Sequence, residues 1–342
     1  MQWIYRRAME GRRAKNLKRR STQKAPCPIV SVGNLTTGGT GKTPAVQWLT
    51  QGLQSHNRRV GIASRGYGGS ASDNGALVSD GKSILLKPAE AGDEAFLHAR
   101  NLPGAIVAVA KDRHHAVELC LQAGAEVVVL DDAFQFWSLP RHFELVLLDA
   151  RRPFGNGHLL PRGRLREEPE ALGRANAILL TRCDRATPEE LNHSQQLVRE
   201  FTTAPVFTST HRPRGLRDEK TGESISLDYL KRRTVKAFAG LADNSQFYDA
   251  LNSLGASHLV KLKRERGDHH AWKQNDFQWF DSAAPINQHQ TELFENLPVV
   301  TTEKDAVKLD PQWFGGPLYS LRIAMDIEDE RALLRLILNS LR

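Results

Sequence analysis

The sequence lacks the features of a secreted, membrane-spanning or disulfide-stabilised protein. Its 342 residues include only three cysteines, an odd number without metal-binding spacing, which favours a reduced, cytosolic protein. No apolar run is long enough to span a bilayer, and the first residues lack the apolar core of a secretion signal. We find neither a repeat nor a low-complexity tract. These absences predict a folded cytosolic protein without a transmembrane helix.

The chain does contain enough apolar sequence for two domains. Hydrophobic residues make up 40% and charged residues 25% of the chain, which is the composition of a soluble globular protein. A chain of this length can build two domains that each have their own core.

Positive charge is concentrated at the start of the chain. Residues 1–24 contain nine Lys and Arg side chains against Glu10 alone, so this segment carries a charge equal to the whole net charge of +8. Trp3, Ile4 and Tyr5 precede the basic run. Aromatic side chains beside cations suit an anionic membrane surface, where each cation adds about 1 kcal/mol. A nucleic-acid-binding arm and a solvated tail are the alternatives that composition leaves open.

Short apolar runs alternate with helical patterns over the first two-thirds of the chain. The predicted strands cover 29–32, 60–64, 105–110, 127–130, 145–148 and 177–180, and the predicted helices cover 45–55, 94–100, 113–123 and 188–201. Apolar strands separated by helices are typical of a parallel sheet covered on both faces. Ligands of such α/β folds bind at the carboxyl ends of the strands.

A second alternating series follows a polar stretch. Its predicted strands are 235–239, 258–261, 298–301 and 318–321, and its predicted helices are 245–254 and 328–341. The predicted organisation is therefore a basic N-terminal segment at 1–27, a core domain at 28–210, a linker at 211–234 and a smaller α/β domain at 235–342.

The motif that narrows the function most is a glycine-rich turn between a strand and a helix. Residues 33–44 read GNLTTGGTGKTP and follow the apolar run 28–32. Backbone N–H groups of such a loop cradle phosphates, Lys42 reaches the outer phosphates, and the Thr43 hydroxyl can hold Mg²⁺. Thr36 stands where the first glycine of the usual P-loop pattern would be. The predicted nucleotide-binding residues are Thr37, Gly38, Gly39, Thr40, Gly41, Lys42 and Thr43. An ordinary glycine-rich connection is the alternative.

Two acidic residues follow the predicted strand 127–130. Asp131 and Asp132 end the apolar run 127–130, which is the expected place of the Walker B carboxylate that holds Mg²⁺. Asp149 is a weaker candidate of the same kind. Capping of the following turn is the alternative for the Asp131–Asp132 pair.

Three further segments carry candidate chemistry. Arg65 lies in a glycine-rich loop after the strand 60–64 and could bind an oxyanion, although a surface loop has the same pattern. Asp93 begins a helix and fits an N-cap, but it could also act as a general base if a neighbour tunes it. The paired histidines at 269 and 270 lack a third ligand nearby in the sequence, which argues against a metal site. Residues 181–184 (TRCD) only faintly match a guanine-reading motif, and we interpret them as a strand-end turn.

Taken together, these motifs resemble the lipid A 4'-kinase family, the tetraacyldisaccharide 4'-kinases. The matching segments are 32–34 (VGN), 38–44 (GGTGKTP), 64–68 (SRGYG), 92–94 (GDE), 130–132 (LDD), 154–157 (FGNG), 160–161 (LP), Gly163, 165–167 (LRE), 239–240 (AG), 268–270 (DHH) and 302–308 (TEKDAVK). The resemblance covers residues 28 to 310 approximately. It implies a P-loop NTPase fold with a mostly parallel sheet and a smaller α/β second domain.

The resemblance also implies a reaction, a location and a set of site residues. The family transfers the γ-phosphoryl group of ATP, with Mg²⁺, to the 4'-hydroxyl of a diglucosamine lipid at the cytosolic face of the bacterial inner membrane. We therefore expect a lipid A disaccharide precursor as partner, peripheral binding to the anionic inner-membrane surface through residues 1–24, and no specific nucleic acid. The implied catalytic residues are Asp93, His269, Lys42 and Arg166, with His269 as the partner of Asp93. The implied metal ligands are Thr43, Asp131, Asp132 and Glu167, and the implied substrate-binding residues are Arg65, Asn156 and Asp268.

The chain departs from the family pattern in three places. Ala133 and Phe136 replace a glycine and a histidine after the acidic pair, which could restrict the turn and removes a polar group. Arg162 and Arg164 are added cations before the LRE motif. The N-terminal helix is shorter and more basic than is usual, so we expect it to dock more by charge than by insertion.

Two other function classes remain as alternatives. A membrane-associated switch ATPase of the partitioning type shares the Gly-rich loop, but it carries a lysine where this chain has Thr37; nucleotide-dependent dimerisation without lipid turnover would indicate it. A nucleic-acid-dependent ATPase would explain the basic arm, and it predicts salt-sensitive nucleic-acid binding that stimulates hydrolysis.

Overall fold

The chain divides into two compact units, of which a computed structural model describes residues 2–20, 25–240, 244–262, 272–277, 279–280 and 295–342. Unit 1 comprises Met1–His211 and Met325–Arg342, and unit 2 comprises Arg212–Ala324. Within the described ranges, no helix has both the length and the apolar character needed to cross a membrane.

Unit 1 alternates strands and helices along most of its length. Its strands are β1 (Ile29–Asn34), β2 (Val60–Ser64), β3 (Ala76–Asp80), β4 (Ile106–Val109), β5 (Val127–Asp131), β6 (Phe143–Asp149), β7 (Ala177–Thr181) and the first part of β8 (Val206–Asp218). Its first six helices are α1 (Gln2–Arg20), α2 (Lys42–Ser55), α3 (Pro88–Ala91), α4 (Asp93–Asn101), α5 (Arg113–Gln122) and α6 (Pro188–Arg199). The predicted alternation is confirmed for the six predicted strands and four predicted helices of this unit, whereas β3, β8 and the short helix α3 were not predicted.

These strands form one sheet in the order β3-β4-β2-β5-β1-β6-β7-β8. Neighbouring strands are parallel apart from the β3–β4 pair. The β-branched run at 127–129 is fully buried in β5, as expected for a strand covered on both faces. Because the strands are parallel, the loops after β1, β2, β5, β6 and β7 meet at one edge of the sheet.

Helices cover both faces of this sheet. On one face, Leu49 and Leu53 of α2 share a core cluster with Val30 and Val32 of β1. On the other, Val117 and Cys120 of α5 pack with the alternate residues of the central strands. Fully burying a side chain such as Leu49 stabilises the fold by about 2 kcal/mol.

Unit 2 is a smaller α/β unit. It contains the rest of β8, β9 (Ser224–Ile225), β10 (Thr234–Ala237), β11 (His258–Leu262), β12 (Trp279–Phe280), β13 (Val299–Thr302), most of β14 (Leu318–Ile327), α7 (Ser245–Ser253) and α8 (Glu303–Ala306). β10 lies between the parallel strands β11 and β13, β14 is parallel to β13, and β12 is antiparallel to β11.

The TEKD motif has a structural role in unit 2. The buried Asp305 carboxylate accepts hydrogen bonds from the Gly240 N–H at 2.8 Å and from the Trp272 indole N–H at 3.2 Å. It also accepts one from the Thr302 hydroxyl at 2.8 Å, and the Lys308 ammonium lies 3.2 Å away. Asp305 therefore joins the start of α8 to Gly240 and Trp272.

The predicted domain boundaries need two corrections. The polar stretch 211–234 is not a linker, because β8 continues to Asp218 and pairs with β9 through Leu216 and Ile225. Most residues of this strand are partly exposed, and only Ser209, Gly215 and Leu216 are buried. The closing helix α9 (Glu330–Ser340) does not belong to the second domain, since its Leu333 and Ile337 are buried in the same cluster as Leu49 of α2.

Candidate active site

The glycine-rich loop between β1 and α2 has the backbone shape of an anion cradle. Gly38 and Gly41 have φ angles of 108° and 83°, a region that residues with a side chain rarely adopt. Gly41 directly precedes α2, so the loop leads into a helix N-terminus that attracts anions. The Asn34 amide donates to the Thr40 hydroxyl at 2.8 Å and fixes the loop on its strand.

A distant segment runs antiparallel to this loop. The Thr37 N–H donates to the Arg164 carbonyl at 2.7 Å, and the Arg166 N–H donates to the Leu35 carbonyl at 2.7 Å. This pairing brings the LRE motif to the P-loop although more than a hundred residues separate them in the chain. The predicted association of Arg166 and Glu167 with the nucleotide loop is thus present in the structure.

Asp132 is the centre of a charged cluster beside the loop. One nitrogen of the Arg166 guanidinium, Nη1, lies 2.8 and 2.9 Å from the two Asp132 carboxylate oxygens. The Lys42 ammonium lies 3.8 Å from the same carboxylate. Gln135 adds its side-chain oxygen at 3.3 Å from Arg166 Nη1. The cluster thus places two cations and one anion beside the glycine-rich loop.

Asp131 has a different environment from its neighbour. Its carboxylate is buried and lies 3.3 Å from His98 Nε2, with the Ser64 hydroxyl at 3.4 Å. Burial alone would raise the pKa of Asp131, but the hydrogen bond and charge of His98, together with the charges of Lys42 and Arg113, lower this pKa below its ordinary value. Asp131 is therefore an ionised, internally paired carboxylate.

Glu167 is also paired within the protein. Its buried carboxylate accepts a hydrogen bond from the Arg174 guanidinium at 2.9 Å and from the Gln135 amide at 3.2 Å.

Thr43, the predicted Mg²⁺ ligand of the loop, is the second residue of α2 at the mouth of the loop. Across the described part of the chain, no group of three or more His, Cys, Asp and Glu side chains could hold a metal ion. A role for Thr43 and Asp132 in holding Mg²⁺ stays a prediction.

The predicted base Asp93 is the first residue of α4 and is half-buried. Gly92 before it has a φ of 82°, and a Cβ there would lie 2.6 Å from the Tyr67 carbonyl oxygen. The loop after β2 therefore packs on the start of α4 and brings the exposed Arg65 to this side of the site. The same helix presents His98 to Asp131, about 7.5 Å along its axis from Asp93. Asp268, His269 and His270 lie outside the described residues.

The predicted substrate residue Asn156 organises its own loop. Its side-chain amide donates to the Arg162 carbonyl at 3.3 Å, and its oxygen accepts the His158 N–H at 3.4 Å. A role for Asn156 and Arg65 in substrate binding stays a prediction.

The two substitutions after the acidic pair are accommodated. The residue with positive φ in this turn is Asp132, at 50°, and not Ala133, so the expectation that losing a glycine at 133 restricts the turn is wrong. The Phe136 ring packs edge-on against His114, with ring centroids 5.6 Å apart. An apolar contact therefore stands where the family has a polar group.

Three cationic or titratable groups beside the loop were not predicted to be site residues. Arg182, in the segment interpreted as a strand-end turn, donates to the Gly39 carbonyl and pairs with Asp149 at 2.9 Å. The Arg164 guanidinium lies 3.2 Å from the point where a Cβ on Gly38 would be, and His211 Nε2 lies 2.6 Å from the corresponding point on Gly41. For Arg182, the position directly after β7 was the available signal.

A cavity of about 200 Å³ lies next to the charged cluster. Its lining includes Tyr5 and Met9 of α1, Trp137, and the segment 166–168. The Tyr5 hydroxyl donates to the Arg166 carbonyl at 3.2 Å, and Arg6 pairs with Glu168. The basic helix α1 is therefore fastened directly to the segment that carries Arg166 and Glu167.

Comparison with known proteins gives a consistent result. Residues 1–342 match the family model described as tetraacyldisaccharide-1-P 4'-kinase, LpxK. The chain is 43% identical over 318 residues to the tetraacyldisaccharide 4'-kinase of Desulfatibacillum aliphaticivorans, which covers 90% of this chain and 82% of that protein. It is 43% identical over 289 residues to the same enzyme of Anaeromyxobacter dehalogenans strain 2CP-C, which covers 84% of this chain and 74% of that protein.

Among solved structures, the chain is similar to LpxK from Aquifex aeolicus, whose crystal structure is in complex with ATP. The TM-score is 0.76 at 29% sequence identity, and the match covers 100% of this chain and 97% of that one. These similarities confirm the resemblance that the sequence motifs carry and the P-loop NTPase fold that it implies.

Proposed function

The chain belongs to the tetraacyldisaccharide-1-P 4'-kinase family, and we propose a role for each residue of its P-loop site in that family's reaction. The enzyme transfers the γ-phosphoryl group of ATP to the 4'-hydroxyl of a tetraacyl diglucosamine-1-phosphate lipid, a step of lipid A biosynthesis. The observation that supports the proposed roles most strongly is the cluster of Lys42, Asp132 and Arg166 at the mouth of the loop.

The loop and α2 would hold the nucleotide. The β- and γ-phosphates lie at the positive end of α2, where Lys42 neutralises the outer phosphates. The Thr43 hydroxyl and the Asp132 carboxylate form an all-oxygen donor set that suits Mg²⁺. When bound, Mg²⁺ neutralises charge on the phosphate oxygens and orients them. Asp131, the neighbour of Asp132 in the chain, is paired with His98 and so fixes the backbone that carries Asp132.

Arg166 would stabilise the transferring group. Phosphoryl transfer needs positioning and charge neutralisation more than covalent chemistry. Asp132 holds the Arg166 guanidinium in place, and the backbone pairing with the loop fixes its segment. A preorganised cation of this kind acts on the charge that develops in the transition state.

Asp93 would accept the proton of the acceptor hydroxyl. The 4'-oxygen forms a bond to the γ-phosphorus as the bond from that phosphorus to the β–γ bridging oxygen breaks and ADP leaves. The hydroxyl proton passes to the Asp93 carboxylate at the start of α4. The family resemblance implies His269 as the partner that tunes this carboxylate.

The basic helix α1 would bring the enzyme to its substrate at the cytosolic face of the inner membrane. Trp3 is 62% exposed, and the Arg7 guanidinium lies 4.5 Å from its ring centroid. An exposed aromatic ring beside cations suits the interface of an anionic bilayer. Since Tyr5 and Arg6 fasten α1 to the Arg166 segment, a lipid bound along α1 in the adjoining cavity can present its sugar to the site.

Turnover of single-residue variants tests these roles. With Mg-ATP and a tetraacyl disaccharide in mixed micelles, Lys42→Ala and Asp93→Asn should each lose at least two orders of magnitude in kcat. Lys82→Ala and Asp73→Asn, at exposed sites elsewhere in unit 1, are the matched controls and should keep wild-type turnover. Full activity of either site variant would contradict the role assigned to that residue.

A further inference from the structure

Three arginines border the P-loop of this chain, and two of them are paired with carboxylates of the protein. Arg166 is held by Asp132, and Arg182 is held by Asp149 and the Gly39 carbonyl. Arg164 is different. It is exposed, and within the described part of the chain its guanidinium has no hydrogen-bond or ion-pair partner.

The backbone explains why Arg164 reaches the loop. Residues 164–166 are extended and pair with residues 35–37. Side chains alternate between the two sides of an extended segment, so Arg164 and Arg166 point to the same side while the buried Leu165 points to the other. Two cations thus stand one pleat apart along the nucleotide loop, roughly 7 Å from each other along the chain.

The position of the Arg164 guanidinium is specific. Its Nη2 atom lies 3.2 Å from the point where a Cβ on Gly38 would be. The side-chain methylenes rest against Gly155, 3.3 Å from the corresponding point there. The Arg164 guanidinium therefore stands beside the tip of the P-loop, and the packing of its methylenes on Gly155 fixes its position.

We propose that Arg164 is a second catalytic arginine of this enzyme and contacts the γ-phosphate of bound ATP. The loop backbone surrounds the inner phosphates, so a group standing over the loop tip on the Arg166 side meets the outer end of the triphosphate. An exposed guanidinium offers the charge-assisted, bidentate hydrogen bonds that a phosphate accepts. This assignment rests on the proposed function and adds to it, because the family pattern has proline at this position and Arg166 as its arginine.

The test compares Arg164→Ala with Arg162→Ala, the other added arginine of the same loop. Both side chains are exposed, so neither change should shift the melting temperature. For Arg164→Ala we expect kcat/KM for ATP to fall on the order of tenfold and the Kd of a non-hydrolysable ATP analogue to rise by a similar factor. The Kd of ADP, which lacks the γ-phosphate, and the KM of the lipid should change less than twofold. Arg164→Lys should recover part of the loss, and Arg162→Ala should match the wild type.

The outcomes separate this assignment from the proposed function. Wild-type values for Arg164→Ala would overturn it, and so would an equal loss of affinity for ADP and the ATP analogue, because that result indicates a change in loop shape. Loss in both arginine variants would also overturn it, since it indicates a general effect of charge. If the wild type binds the ATP analogue but transfers no phosphate to the lipid, the proposed function fails while the binding comparison still decides the role of Arg164.

Discussion

Arg166 meets Asp132 through one guanidinium nitrogen, which lies 2.8 and 2.9 Å from the two carboxylate oxygens. The two residues come from different loops, and the carboxylate also faces Lys42 at 3.8 Å. Asp132 is therefore paired with both cations of the site. In the proposed mechanism it also offers an oxygen ligand for Mg²⁺.

Replacing Asp132 should therefore affect turnover more than stability. Asp132→Asn keeps the shape of the side chain but removes the charge that holds Arg166 and Lys42. We expect kcat to fall by at least two orders of magnitude, and we expect a higher Mg²⁺ concentration for half-maximal rate. Asp73→Asn, at an exposed ion pair with Lys111, is the control. A kcat within threefold of the wild type would show that Asp132 does not organise the site.

The pair of His98 and Asp131 should contribute to stability. Both side chains are buried and lie 3.3 Å apart, so removing His98 takes away the nearest partner of a carboxylate in the core. We expect His98→Asn to lower the free energy of unfolding by about 3 kcal/mol and to raise the pKa of Asp131. Urea unfolding at pH 7 of His98→Asn, Asp131→Asn and the double variant measures the coupling. If the two single effects simply add, the residues do not form a stabilising pair.

His211 should make stability depend on pH. Burial, and then the charges of Arg182 and Arg185, lower its pKa to about 4, although Asp184 and Asp149 oppose this shift. A histidine with a depressed pKa stays neutral in the folded state and takes up a proton more readily when the chain unfolds. Its contribution is complete above pH 6.5 and is lost as the pH falls toward 4.

The loss attributable to His211 between pH 7.5 and pH 5 should be about 2 kcal/mol. His211→Phe removes the titrating group, so its stability should fall less than that of the wild type over this interval. Urea unfolding at both pH values measures the difference. Equal losses in the two proteins would mean that His211 titrates normally in the folded state.

Helix α1 should determine membrane binding. Removing residues 2–20 deletes the exposed Trp3 and most of the excess charge, and each cation near an anionic surface is worth about 1 kcal/mol. We expect the truncated chain to lose sedimentation with vesicles that contain anionic lipid, and we expect wild-type binding to weaken at high salt. Arg199→Gln, on an exposed face of α6, should bind as the wild type does. Unchanged binding of the truncated chain would exclude α1 as the membrane contact.

Local sequence patterns predicted the buried strands and the glycine-rich loop, because both depend on the residues within one short segment. The apolar runs that became β2, β5 and β7 ended within one residue of their predicted bounds, because a strand buried on both faces must be apolar along its length. The P-loop was predictable because positive φ at Gly38 and Gly41 requires glycine.

Contacts between distant segments could not be predicted in this way. The antiparallel pairing of residues 164–166 with the P-loop, and the return of α9 to the core of unit 1, leave no local pattern. Arg166 was identified only through family resemblance, and Arg182 was missed because its short motif fits any turn. His98 looked like one more residue of a helix, since burial beside Asp131 is set by tertiary packing.

Transfer of label from γ-³²P ATP to a tetraacyl disaccharide 1-phosphate, followed by NMR of the product, tests the central claim most directly. The account predicts one labelled lipid per ATP consumed, with the new phosphate on the 4'-oxygen and no transfer to a 4'-deoxy acceptor. ATP hydrolysis without labelled lipid, or a phosphate on any other oxygen, would contradict it.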